Sequence, residues 1–116
     1  MSDLQERLAK ALPEAKIDAK SDLLAVKTDE GIWDYFDGIG WPIVPIILAE
    51  CERLGWDWQM GRTTGFPGEK FTYYWAAIRN ATIPIPMGDA DTPPEALAEA
   101  FCVAVETVAL TPGDHR

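Results

Sequence analysis

Histidine and serine are nearly missing from this chain: His115, one residue from the end, is the sole histidine, and the serines are Ser2 and Ser21. Nucleophilic catalysis by a Ser–His or Cys–His pair needs an imidazole beside the nucleophile, and a histidine-based metal site needs several, so neither chemistry is open to these residues. Cysteine is scarce too. Cys51 and Cys102 both fall on apolar helical faces, where a thiol behaves as a small hydrophobe, and they are expected to stay reduced and unbridged. No apolar run is long enough to cross a bilayer; the longest, Ile43 to Ala49, is interrupted by Pro45. The opening MSDLQERLAKAL has neither the basic start nor the apolar stretch of a signal peptide, so a cytoplasmic location without membrane contact is expected. Phosphate-cradling glycine patterns are absent as well. The segment GRTTGFPGE lacks the Lys-Ser/Thr ending and does not lead into a helix. No cofactor and no metal site is expected, and a non-enzymatic role follows.

What the chain does have is enough apolar material for one core. Its 116 residues are 47% hydrophobic and 25% charged, close to globular averages, which indicates a single domain over residues 1–116. The net charge of -9 is unevenly spread. Residues 28–52 carry Asp29, Glu30, Asp34, Asp37, Glu50 and Glu52 with no base, and residues 80–115 carry six acids with no Lys or Arg. Between them, Arg53, Arg62, Lys70 and Arg79 outnumber Asp57 and Glu69. Direct binding to a phosphate backbone is therefore disfavoured over most of the surface.

Periodicity places the elements. Leu4, Leu8 and Leu12 recur every four residues behind the Ser2/Gln5 spacing of a capping box, which predicts a first helix ending near Pro13. Residues 14–22 are charged and read as a further helical turn. Leu23 to Thr28 and Ile32 to Phe36 are β-rich runs around Asp29-Glu30-Gly31, the pattern of a hairpin or of two short strands. A helix follows over residues 44–54, with Pro42 and Pro45 near its first turn and Gly55 as its C-terminal cap. Trp56, Trp58 and Met60 then alternate with polar residues, predicting a strand with one buried face, and Phe71 to Asn80 is a longer strand that reads as covered on both faces. The prolines of ATIPIP make that stretch an edge or a connector. Thr92, Pro93 and Glu95 open a last helix whose apolar face is Leu97, Phe101, Ala104, Val105 and Val108. The fold class expected is α+β: an antiparallel sheet of three to five strands packed with two or three helices in a layered sandwich.

An apolar helix, Ile46 to Leu54, running into Gly55-Trp56-Asp57-Trp58, then Tyr74-Trp75-Ala76-Ala77-Ile78-Arg79, then Thr92-Pro93-Pro94-Glu95-Ala96-Leu97 with Ala98 and Ala100, resembles the phage ABA-sandwich domain family over roughly residues 43 to 110. That family has no assigned function and no catalytic residues to carry over. The resemblance implies a phage or prophage origin and an antiparallel sheet layered with helices. It also implies the company of small acidic phage proteins that inhibit host defence, anti-CRISPR proteins among them.

Three functions from different classes compete. The leading one is a binding protein whose acidic surface and exposed aromatics, Asp29, Glu30, Trp33, Asp34, Asp37, Trp41 and Phe66, engage a basic partner such as a nucleic-acid-handling host complex. Its plain alternative is an acidic surface that only solvates the fold. The second is a nucleotide-signal binder in which Arg53, Arg62, Lys70 and Arg79 supply charge while Trp58 and Tyr74 stack. The third is a metal-dependent enzyme built on Asp34 and Asp37, set against a merely solvated acidic edge. Trp56, Trp58 and Trp75 are expected in the core. Oligomeric state, a homodimer included, is left open.

Overall fold

Leu8 and Leu12 are buried and Leu4 half-buried, so the four-residue spacing of the first leucines builds an amphipathic helix, α1 (Asp3–Ala11). The computed structural model describes residues 3–64 and 72–109; Ser2, Phe66, Lys70 and Phe71 lie outside the described residues, as does the turn Thr111-Pro112-Gly113 expected to end the last helix. Residues 14–22 are not a helical turn. They form a short strand, β1 (Ala15–Ile17), and a turn in which the Ser21 amide and hydroxyl both donate to the Asp18 carboxylate, at 3.0 and 2.8 Å. Pairing to the next strand overrides the weak local preference here: Ala15, Lys16 and Ile17 lie opposite Val26, Ala25 and Leu24 of β2 (Leu24–Lys27).

The expected hairpin is present. β2 pairs antiparallel with β3 (Trp33–Phe36), and the Thr28 carbonyl accepts from Gly31, whose φ of +84° only glycine adopts without strain. A 3-10 turn, Trp41–Ile43, leads into α2 (Val44–Leu54). Gly55, at φ +75°, caps α2, with its own amide donating to the Glu52 carbonyl and the Trp56 amide to the Cys51 carbonyl. β4 (Asp57–Thr64) and β5 (Thr72–Arg79) pair in register from Asp57 opposite Arg79 to Thr64 opposite Thr72. The ATIPIP stretch is a connector, whose end gives way to β6 (Met87–Ala90) on the far side of β5. α3 (Pro93–Ala109) begins as the sequence indicates, although the cap closes differently: the Thr92 hydroxyl accepts from the Glu95 amide at 3.4 Å and donates to the Glu95 carboxylate at 2.7 Å.

The class is α+β; among the described residues there are three α-helices and six antiparallel strands, divided between two three-stranded sheets of order β1-β2-β3 and β4-β5-β6. One core joins them: Leu24 and Val26 from the first sheet, Ala76 and Ile78 from the second, and Leu8, Ile43, Ile47, Leu97 and Phe101 from the helices. α3 lies against β6 closely enough that a Cβ on Gly88 would stand 2.5 Å from both the Ala96 oxygen and the Ala100 nitrogen. β5 is central, as expected, but only one of its faces meets a described helix. Tyr74, Ala76 and Ile78 face α3; Trp75, on the other side, lies half-buried over Gly61, where an added Cβ would come within 2.3 Å of the indole.

Arg7 ties α1 to α3. Its Nε and Nη2 donate to the two carboxylate oxygens of Glu106 at 2.9 Å each, and its Nη1 donates to Glu99 at 2.8 Å. These bonds, the side-chain hydrogen bond first, hold Glu106 below its ordinary value of 4.5. Folded Glu106 thus binds fewer protons than unfolded Glu106, and its share of stability is complete above about pH 4.5 and fades as pH falls through the lower folded value. The stability difference between the parent and Arg7→Leu, from urea unfolding, should narrow as pH falls below about 4.5. A difference constant across that range would disconnect Arg7 from the acid limb.

Cys51 and Cys102 are both fully buried and unbridged. Burial pushes the Cys51 thiol up to about 11 and the Cys102 thiol up to about 12. Neither should react with a thiol reagent at neutral pH until denaturant is added, when two equivalents should appear. Stoichiometric labelling of the native protein would contradict that burial.

Candidate functional site

β3 carries the densest gathering of the expected interface residues, and hydrogen-bond phase explains why it can present them. Between β1 and β2 the Lys27 amide donates to Glu14 and the Asp18 amide to Leu23, while toward β3 Thr28 donates to Ile32. The ladder alternates, so Leu24 and Val26 address Phe36 and Asp34, and the N–H and C=O groups of Trp33 and Tyr35 turn away from β2. No described strand pairs with that outer side. Among the described residues, β3 is an open sheet edge.

Side chains flank this edge on both faces. Asp34 and Phe36 share the face of buried Leu24 and Val26; Trp33 and Tyr35 share the opposite face with Lys16, Ala25 and Lys27. Two clefts meet beneath Asp34. One, of about 510 Å³, runs past Tyr35, Phe36, Asp37, Gly40, Pro42 and Ile46. The other, of about 460 Å³, is floored by Leu12, Val26, Ile46 and Ala49 and rimmed by Asp29, Asp34, Glu50 and Arg53. Asp34 and Ile46 line both, so a continuous trough separates the β3 edge from α2. Trp41, between the lining residues Gly40 and Pro42 in sequence, is 62% exposed, and Tyr35 is 52% exposed.

Asp29, Glu30, Asp34 and Asp37 are exposed, and none forms an ion pair among the described residues. Glu50, by contrast, is 8% exposed and answered by Arg53, whose Nε and Nη2 donate to its two oxygens at 2.6 Å each and whose own pKa rises as a result. Trp33 is also engaged. Lys16 Nζ lies 4.5 Å from its ring centroid, a cation–π contact across the sheet that leaves Trp33 half-buried. Tyr35 was passed over by sequence reasoning, although its alternation with Trp33 around Asp34 was a usable signal.

The basic set does not converge. Arg53 belongs to the Glu50 pair on α2. Arg62, opposite Tyr74, is on the α3 side of the second sheet, whereas Arg79, opposite Asp57, is on the other side, in a shallow cleft of about 450 Å³ with Trp58, Gln59 and Ala77. Trp58 is not in the core: α3 lies over β5 and β6, so the end of β4 overhangs and Trp58 is 41% exposed. Trp56 packs more deeply, its ring centroid 6.2 Å from that of Phe101. Among the described residues, no three His, Cys, Asp or Glu side chains group so as to hold a metal ion, and no helix is long and apolar enough to cross a membrane.

No family model, no curated protein and no solved structure matches the chain.

Proposed function

We propose that this protein is a non-enzymatic binding module that takes an extended, basic segment of a partner protein as an added strand on β3. The observation that carries the reading is the open edge itself: outward N–H and C=O groups of Trp33 and Tyr35, set between unpaired Asp34 and Asp37 and beside exposed Trp41. Strand addition gains affinity from main-chain hydrogen bonds and specificity from every second side chain. Lysine or arginine at alternate positions of the incoming segment would reach Asp34 and the trough below it. The residues between them would pass Tyr35. A segment whose basic side chains ordinarily meet phosphate is the natural occupant, and its capture would inhibit a nucleic-acid-handling complex. The resemblance of the tryptophan-rich hairpin and the Thr92 helix to a phage family adds host defence as the setting in which such inhibition is useful.

The probe is a short peptide of alternating lysine and valine, titrated into the 15N-labelled protein. Amide resonances of Trp33 and Tyr35 should shift and gain protection from exchange, and the glutamate–valine counterpart should leave them unchanged. Shifts with both peptides, or with neither, would remove the strand-addition reading.

A further inference from the structure

Among the described residues β4 presents a second open edge, and its phase differs from that of β3 in a way that selects a different occupant. The Ile78 amide donates to the Pro86 carbonyl on the β6 side, so even-numbered residues of β5 address β6 and odd-numbered ones address β4. Through the register, Asp57, Gln59 and Gly61 spend their backbone groups on β5, while Trp58, Met60 and Arg62 turn theirs outward. No described strand pairs there along the eight residues of β4. The side chains of the same three residues share the face that α3 partly covers, where Trp58 and Arg62 are exposed and Met60, half-buried, packs against the core.

We propose that a second copy of this chain pairs antiparallel along β4 about a two-fold axis at Met60, joining two three-stranded sheets into one of six strands. In that register each Met60 faces its symmetry mate and each Trp58 faces the other copy's Arg62. All three outward-facing residues then fall in hydrogen-bonded pairs, and both guanidinium groups lie beside an indole. The interface is isologous, with every contact made twice. Other registers fit less well: centring on Gly61 sets Trp58 against Thr64, and centring on Arg62 opposes two cations. Charge selects the same strand. The chain carries -9 overall, but Asp57 and Arg62 leave β4 neutral, so two copies meet there with the least mutual repulsion.

Sedimentation equilibrium of the full chain tests the pairing. The parent should dimerise reversibly, and more tightly as salt screens the repulsion between copies. Met60→Lys, which opposes two ammonium groups at the axis, should weaken the dimer at least tenfold without changing the far-UV spectrum. Met60→Pro removes the outward N–H together with the half-buried side chain, and the variant, so long as it keeps the parent's far-UV spectrum, should be monomeric. Met60→Cys should oxidise to a disulfide-linked dimer, because facing Cα atoms in a hydrogen-bonded pair lie about 5.5 Å apart, within disulfide range. A parent that stays monomeric at about millimolar concentration, or a dimer that survives Met60→Lys, overturns the proposal.

Discussion

Truncating Phe101 to alanine should lower the unfolding free energy by about 3 to 5 kcal/mol, a large part of the roughly 5 to 15 kcal/mol available to a domain of this kind. Phe101 is fully buried at the middle of α3, against Trp56 and within the core that both sheets share. The cost of such a change depends on whether neighbours can settle into the space. Here they cannot settle far, because α3 already rests on β6 at backbone contact: Gly88 leaves no room for a Cβ beside Ala96 and Ala100. The helix is held at a fixed height, and the void left by the ring stays open. Urea unfolding should show a lower midpoint with an unchanged slope. A Phe101→Ala protein with the parent's midpoint would take that face of α3 out of the core.

The same contact shows what could and could not be read beforehand. α3 was legible because its signals are local: Thr92, Pro93 and Glu95 act within one turn, and Leu97, Phe101 and Ala104 repeat at helical spacing. β6 was not. Met87-Gly88-Asp89-Ala90 has no β-branched residue, and it is a strand because β5 pairs with it and α3 presses on its glycine, both contacts from elsewhere in the chain. β1 went unread for the same reason, since three residues of Ala-Lys-Ile are extended only through β2. Trp58 was placed on the correct face by alternation, but no period reveals that the covering helix lies chiefly over β5 and β6.

The candidate site divides along similar lines. Asp29, Glu30, Asp34 and Asp37 surround one hairpin, so their proximity follows from the sequence. The trough does not, because it needs Ile46, Glu50 and Arg53 from α2 to lie across from β3. Arg62 and Arg79 looked like partners and are not: they sit on opposite faces of one sheet, as the parity of the β4–β5 register requires.

Neutralising Asp29, Glu30, Asp34 and Asp37 together to Asn or Gln should slow association with a basic partner while leaving the melting temperature nearly unchanged. All four are exposed and form no ion pair among the described residues, so they contribute little to the fold. Their field, however, extends about one Debye length, roughly 10 Å at 0.1 M salt, and it draws in a cationic segment before contact is made. The parent's on-rate should therefore fall with salt, and the neutralised variant's should hardly respond. Trp41 acts at the other stage. The residue is 62% exposed beside Gly40 and Pro42, which line the trough, and an aromatic anchor that becomes buried on binding is worth about 2 kcal/mol or more, a roughly thirtyfold faster dissociation for Trp41→Ala. Trp33 provides the contrast. Because Lys16 already stacks on it within the fold, Trp33→Ala should act mainly on stability, with a smaller effect on dissociation than Trp41→Ala. A partner whose on-rate ignores both salt and the four substitutions would return these carboxylates to the role of a solvating surface. An off-rate untouched by Trp41→Ala would separate the acidic edge from Trp41.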